Sequence, residues 1–212
     1  MTDSPIAPFR KGLGEIISFI FHPLFIPGYI TAFLLYLHPF AFMGASSSYK
    51  IMKLVSVLVS TCFFPAITVL LLRQLGFISS VKLPTRQDRI IPIVAAMIFY
   101  FWIFYVSRRQ PDNPPELVQM LGAVFISSIL ALTLNNFQKI SLHGIAMGIL
   151  VAFFVTLAWH SQINMAAPLA AALLVAGLTG TARLLLAAHS PRELLNGFLT
   201  GIVSMLVALV VT

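Results

Sequence analysis

Apolar residues run along this chain in blocks too long and too continuous to be one face of a water-soluble helix. The first block covers about residues 15–44 and is interrupted by His22-Pro23 and Pro27-Gly28. Further blocks cover about 51–72, 90–107 and 118–136, one ends near 160, and two more cover about 166–186 and 192–211. Stretches of ~18 or more apolar residues with few charges are candidates for membrane crossing, because about 20 residues at 1.5 Å rise span the hydrocarbon core. The pattern predicts an all-α, polytopic transmembrane helix bundle with about six to seven spans. Within the first block, 24–44 reads as the first span. Residues 15–22 lie at the interface or extend a helix kinked near Pro23 and Pro27.

Polar punctuation separates the blocks. "GASSSYK" (44–50) is a turn, and "RRQPDNPPE" (108–116) is a loop by its Pro and Asn content. The segments 73–89, 137–143 and 187–191 follow the second, fourth and sixth of seven crossings, so all three open on one side of the membrane. The domain reading is a polar N-terminal segment, 1–14, followed by a single integral membrane domain, 15–212.

Composition narrows the class. Hydrophobic residues make up 59% of the 212 and charged residues only 9%, which excludes an ordinary soluble domain, where about 25% are charged. The net charge of +7 raises the question of nucleic acid. Its basic residues instead stand at the ends of apolar runs, where they flank a membrane and can bind anions. Cys62 is the only cysteine and sits inside an apolar run, so no intramolecular disulfide and no cysteine metal site is expected. The first apolar block is long and broken by prolines, unlike the core of a signal peptide.

The three same-side loops hold most of the chemically interesting residues. The first carries Lys82 and Arg89, with Arg86 and Asp88 between them. The second carries Ser141 and His143, with Lys139 nearby. The third carries Arg183, His189 and Glu193. Three cations, a hydroxyl and two imidazoles at a membrane surface suit a phosphate ester, which holds nearly two negative charges at neutral pH. Guanidinium groups match its oxygens bidentately, and a lysine acts as a point charge. One imidazole can attack phosphorus while another donates a proton to the leaving oxygen.

In their order and spacing these residues resemble the type 2 phosphatidic acid phosphatases, the superfamily that also includes vanadium-dependent haloperoxidases. That pattern is K-x6-R-P, then P-S-G-H, then S-R-x5-H-x3-D. Here Lys82 is followed by six residues and Arg89; "ISLH" ends in Ser141 and His143; "ARLLLAAHSPRE" gives Arg183, His189 and Glu193. Ile90, Ile140, Leu142, Ala182 and Glu193 depart from the family residues at their positions. The matched motifs span 82–193. The resemblance implies that His189 is the nucleophile, oriented by Glu193, and that His143 is the general acid and later the base. It also implies that Lys82, Arg89, Ser141 and Arg183 hold the phosphoryl oxygens, with no metal or other cofactor. The implied partners are the bilayer and a lipid phosphate or diphosphate, such as phosphatidic acid, phosphatidylglycerophosphate or a polyprenyl diphosphate.

Plainer readings stand beside these. Ser190, Pro191 and Glu193 also make a good helix start, with a Ser cap, Pro at the first position and Glu at the third. Glu193 can serve both purposes, because it lies four residues after His189. Arg183 alone would be a snorkelling cation, and Lys82 and Arg89 alone would be flanking charges. His22, His38 and His160 stand apart and read as interfacial or structural. Arg183 and His189 are six apart, about 600° of helix at ~3.6 residues per turn, so a break between them is required if both face one phosphate. Alternatives to hydrolysis are a lipid phosphotransferase using the same intermediate and a non-catalytic phospholipid-binding or transport protein. The resemblance implies an inner (plasma) membrane protein with an extracytoplasmic site. The count of basic residues outside the pocket, six on the site side against four opposite, points the other way.

Overall fold

Proline, glycine and capping hydroxyls set the helix ends more than changes in polarity do. The computed structural model describes residues 8–81 and 83–212, which form helices and connecting turns with no strand among them. Helix α1 covers Pro8–Ile20 and α2 covers Ile26–Tyr36, ending before Pro39. Helix α3, Ser47–Gln74, is capped by Ser46, whose Oγ accepts the Tyr49 N–H at 3.2 Å. It passes through a π-helical turn at Val59–Phe63, just before Pro65, whose missing N–H would break a regular ladder there. Next come α4, Arg86–Arg108, capped by Thr85, and α5, Pro115–Asn135. The last three are α6, Leu142–His160, capped by Ser141; α7, Ala166–Leu185; and α8, Pro191–Val211, capped by Ser190.

Helices α3 to α8 are each long and apolar enough to cross a membrane, which makes six among the described residues. The seventh expected span is corrected. Over 24–44 the helix has only 11 residues, about 16 Å at 1.5 Å per residue, against a hydrocarbon core of about 30 Å. Pro39 cannot continue a helix, and the chain turns through Phe40–Gly44, with Gly44 at φ 78°. Even so, this short helix carries the chain along α6. His22, before α2, packs on His143 in the first turn of α6, and Phe33 stacks edge-on against Phe154 three turns further along, at 4.9 Å. The chain therefore enters α3 at the end opposite the three polar loops. Residues 8–14 of the polar N-terminal segment are the start of α1.

The core lies around α6, where His143 to Phe154 are buried without interruption. Its closest partner is α8. Gly144 and Gly148 on α6 meet Gly197 and Gly201 on α8, a small-residue face that lets two backbones touch. A Cβ on Gly197 would stand 2.5 Å from the Ser141 carbonyl oxygen, and one on Gly144 2.6 Å from that of Leu194. The start of α6 is thus pinned against the start of α8. Outside this core, Leu70, Ile98, Trp102, Leu174 and Val210 are exposed, as suits side chains facing lipid.

Candidate active site

The three polar loops meet at one end of the bundle, held by hydrogen bonds between them. The Arg86 guanidinium donates to the Asn136 and Phe137 carbonyls at 3.0 and 3.1 Å, and Asn135 Nδ2 donates back to the Arg86 carbonyl. Asn196 Nδ2 donates to Gln138 Oε1 at 2.9 Å, and Lys139 Nζ reaches the Ala188 carbonyl at 3.4 Å. Asp88 accepts from the Ser79 amide and from the Ser79 and Thr85 hydroxyls, which folds the first loop back onto α4.

Arg89 is buried at 6% exposure, an environment in which a cation requires partners. Its Nε donates to the Leu83 carbonyl at 3.0 Å and one terminal nitrogen to the Ile140 carbonyl at 2.7 Å. Arg89 also lines the cavity described below. Arg183 sits in the last turn of α7, half-buried, and its Nε has no partner among the described residues. An unpaired buried donor on a cation is poised for an anion.

Helix α7 stops at Leu185, and the chain turns through Ala187 at φ 49° before α8 begins at Pro191. That turn directs His189 inward, where it is buried at 9% exposure. Its Nδ1 lies 2.9 Å from Glu193 Oε2. The same carboxylate accepts the Ser190 amide at 3.3 Å while Ser190 Oγ accepts the Glu193 amide at 3.2 Å, completing a capping box. Glu193 therefore caps the helix and holds the imidazole at once. With Nδ1–H donated to the carboxylate, Nε2 carries the lone pair. Burial is the main influence lowering the His189 pKa, reinforced by Arg89, Lys139 and Arg183 and opposed by the bond to Glu193. The ring is neutral at pH 7, the form a nucleophile needs.

His143 lies in the first turn of α6, with Nε2 3.1 Å from the carbonyl oxygen of Ser18 on α1. The ring of His22 meets it edge-on, at 5.4 Å between centroids and 82° between planes. His22 thus belongs to this cluster, although nothing in the sequence motifs selects it. Burial, followed by the charge of Arg183, lowers the His22 pKa and keeps that ring neutral.

Arg89, His143, Arg183 and His189 line one cavity of about 1050 Å³. Its polar end also takes in Lys11, Glu15, Ser18 and His22. Its other arm runs into the bundle between apolar walls, past Pro65, Ala96, Val124 and Ile149. Ser141 does not line it. This serine is fully buried, and its Oγ accepts the Gly144 N–H at 3.2 Å as the cap of α6. Lys82 lies outside the described residues. Among the described residues no group of three His, Cys, Asp or Glu is placed to hold a metal ion.

No protein-family profile, curated protein or solved structure matches the chain.

Proposed function

We propose that this protein is a membrane-embedded phosphatase that hydrolyses a lipid phosphate or diphosphate through a phosphohistidine. The observation that carries the reading is the His189–Glu193 pair at the polar end of a cavity whose other end is apolar. Two guanidiniums, Arg89 and Arg183, stand at the same end to hold the phosphoryl oxygens, and the apolar arm suits the lipid tail.

In the first step His189 Nε2 attacks phosphorus and the P–O bond to the leaving group breaks. His143 enters this step protonated, with Nε2–H on the Ser18 carbonyl, and gives its Nδ1 proton to the departing oxygen. In the second step water attacks the phosphohistidine, His143 takes up the water proton, and inorganic phosphate leaves with the N–P bond broken. Fixed cations around the phosphoryl group stabilise the charge that develops in both steps. Lys82 completes the phosphate site in the family pattern that the sequence resembles, whereas Ser141, which that pattern also includes, caps α6 away from the cavity; the same resemblance implies an extracytoplasmic site.

The test is phosphate release by the purified chain over a panel of lipid phosphates, with His189→Ala as control. The wild type releases phosphate and the variant does not. Equal turnover by the two would remove the mechanism. Binding without turnover in the wild type would instead favour a transport or lipid-binding protein, and labelled lipid in place of free phosphate would favour a phosphotransferase.

A further inference from the structure

Helix α1 is amphipathic in an inverted sense. Phe9, Leu13, Ile16 and Ile20 recur at helical spacing on one face, and all are exposed. A soluble protein would bury that face; here it is turned outward, toward where lipid would lie. The opposite face carries Lys11, Glu15 and Ser18 and continues into His22, and these four line the polar end of the cavity. Gly14, between the two faces, packs on Leu186 and the Ala182 carbonyl, which seats α1 on the end of α7.

Among the described residues, two donors on that inner stripe have no hydrogen-bond partner. Ser18 is 7% exposed, yet its Oγ makes no hydrogen bond, which is costly unless something else fills the place. His22 Nδ1 accepts the Leu24 amide at 3.4 Å, so in the neutral ring Nε2 bears the hydrogen. No protein acceptor takes that Nε2–H among the described residues, and the ring lies in the cavity wall beside His143. Ser18 and His22 line the same cavity as Arg89, Arg183 and His189, with the Ser18 hydroxyl packed into its wall.

We propose that Ser18 and His22 form a second wall of the head-group site, with Ser18 Oγ–H and His22 Nε2–H donating to oxygens of the bound phosphate ester opposite the two arginines. This rests on the phosphatase reading above for its ligand. It assigns to the hinge between α1 and α2 a direct part in binding substrate. The Ser18 carbonyl, in the last turn of α1, is free to accept from His143 because the His22 amide turns to Phe19 instead.

The experiment compares kcat/KM for phosphate release from phosphatidic acid in mixed micelles across His22→Gln, His22→Phe and Ser18→Ala. Glutamine places an N–H donor near the position of Nε2, whereas phenylalanine keeps the ring packing on His143 and removes the donor. His22→Gln is expected to stay within about threefold of wild type, and His22→Phe and Ser18→Ala to lose about tenfold each, near the worth of one hydrogen bond. Equal activities in His22→Gln and His22→Phe, whether kept or lost, overturn the proposal for His22. Wild-type activity in Ser18→Ala overturns it for Ser18.

A second measurement needs no variant at His22. Diethylpyrocarbonate is expected to modify His22 in the wild-type chain, read by mass spectrometry, and orthovanadate to protect it. Unchanged labelling with vanadate present overturns the subsite. If the wild type releases no more phosphate than His189→Ala, the phosphatase reading falls, and the vanadate labelling still decides whether this wall binds a phosphate-shaped anion.

Discussion

Glu193 has two duties that a pair of substitutions can separate. Glutamine at the third position of a helix still completes a capping box, so Glu193→Gln keeps the helix start and removes the negative charge beside His189. The expected result is a fall in kcat on the order of 10²-fold or more, with the melting temperature nearly unchanged. Glu193→Ala loses the same activity and, in addition, about 1 kcal/mol of stability from the lost cap. Full activity in Glu193→Gln beside an inactive Glu193→Ala would reduce Glu193 to a cap. His189 gives a prediction in pH. Its pKa lies below the ordinary 6.5, chiefly through burial, and attack requires the neutral ring. The acid limb of kcat/KM, which reports the free enzyme, should therefore fall below 6.5, and raising the pH through 7 should gain nothing from this group. Stability moves with it: the unfolded chain takes up the proton at a higher pH than the folded one, so the fold weakens as pH drops from 6.5 through the lowered value. An acid limb above 6.5 would contradict the burial described. Most of these residues were legible in the sequence because their spacing carries them. Ser18 and His22 were not, since the contact with His143 joins positions 125 apart and follows only from where α1 is seated. Ser141 shows the converse, a correctly spaced hydroxyl that the fold uses as a helix cap.

At the scale of the helices, the geometry of the site depends on how closely α6 approaches α8. A Cβ at Gly148 or Gly201 would overlap the carbonyl of Phe198 or Ile145, and a backbone cannot swing aside as a side chain can. Gly148→Ala and Gly201→Ala should each cost about 1–3 kcal/mol by overpacking. They should also lower kcat, because the first turn of α6, which carries His143, and the turn before α8, which carries His189, would be pushed apart. Gly177→Ala is the control: nothing lies within 4 Å of a Cβ there, so stability should hold or rise slightly. Thermal melting in detergent compares the three, and equal melting points would mean that the glycine face is not a tight contact. Helix limits were readable wherever a cap or proline marked them. The block at 90–107 became Arg86–Arg108 and that at 118–136 became Pro115–Asn135. The error at 24–44 has a physical cause: apolarity reports burial or lipid contact, not helicity. Phe42 is 4% exposed inside a turn, and its side chain reads the same in sequence as one in a span.

For the whole molecule, the central question is what the long apolar arm of the cavity holds. It reaches from the arginines and histidines into the bundle along α3, α4, α5 and α6, between walls that are mostly apolar, with Tyr100 among them. Even Ser127 and Ser128, which border it, turn their hydroxyls back onto the carbonyls of Val124 and Phe125. If a lipid tail occupies this arm, substrate discrimination should depend on tail length, at ~0.8 kcal/mol per buried methylene or about fourfold in kcat/KM. Ala96 lines the arm on α4, so Ala96→Phe narrows it without touching the residues that face the phosphate. The variant should lose tenfold or more in kcat/KM on a long-chain lipid phosphate and remain near wild type on a short, water-soluble phosphate ester. The same loss on both substrates would mean that the substitution disturbs the bundle as a whole. No loss on either would place the tail outside the arm, among the exposed apolar side chains along the helices, and the cavity would then hold the head group alone.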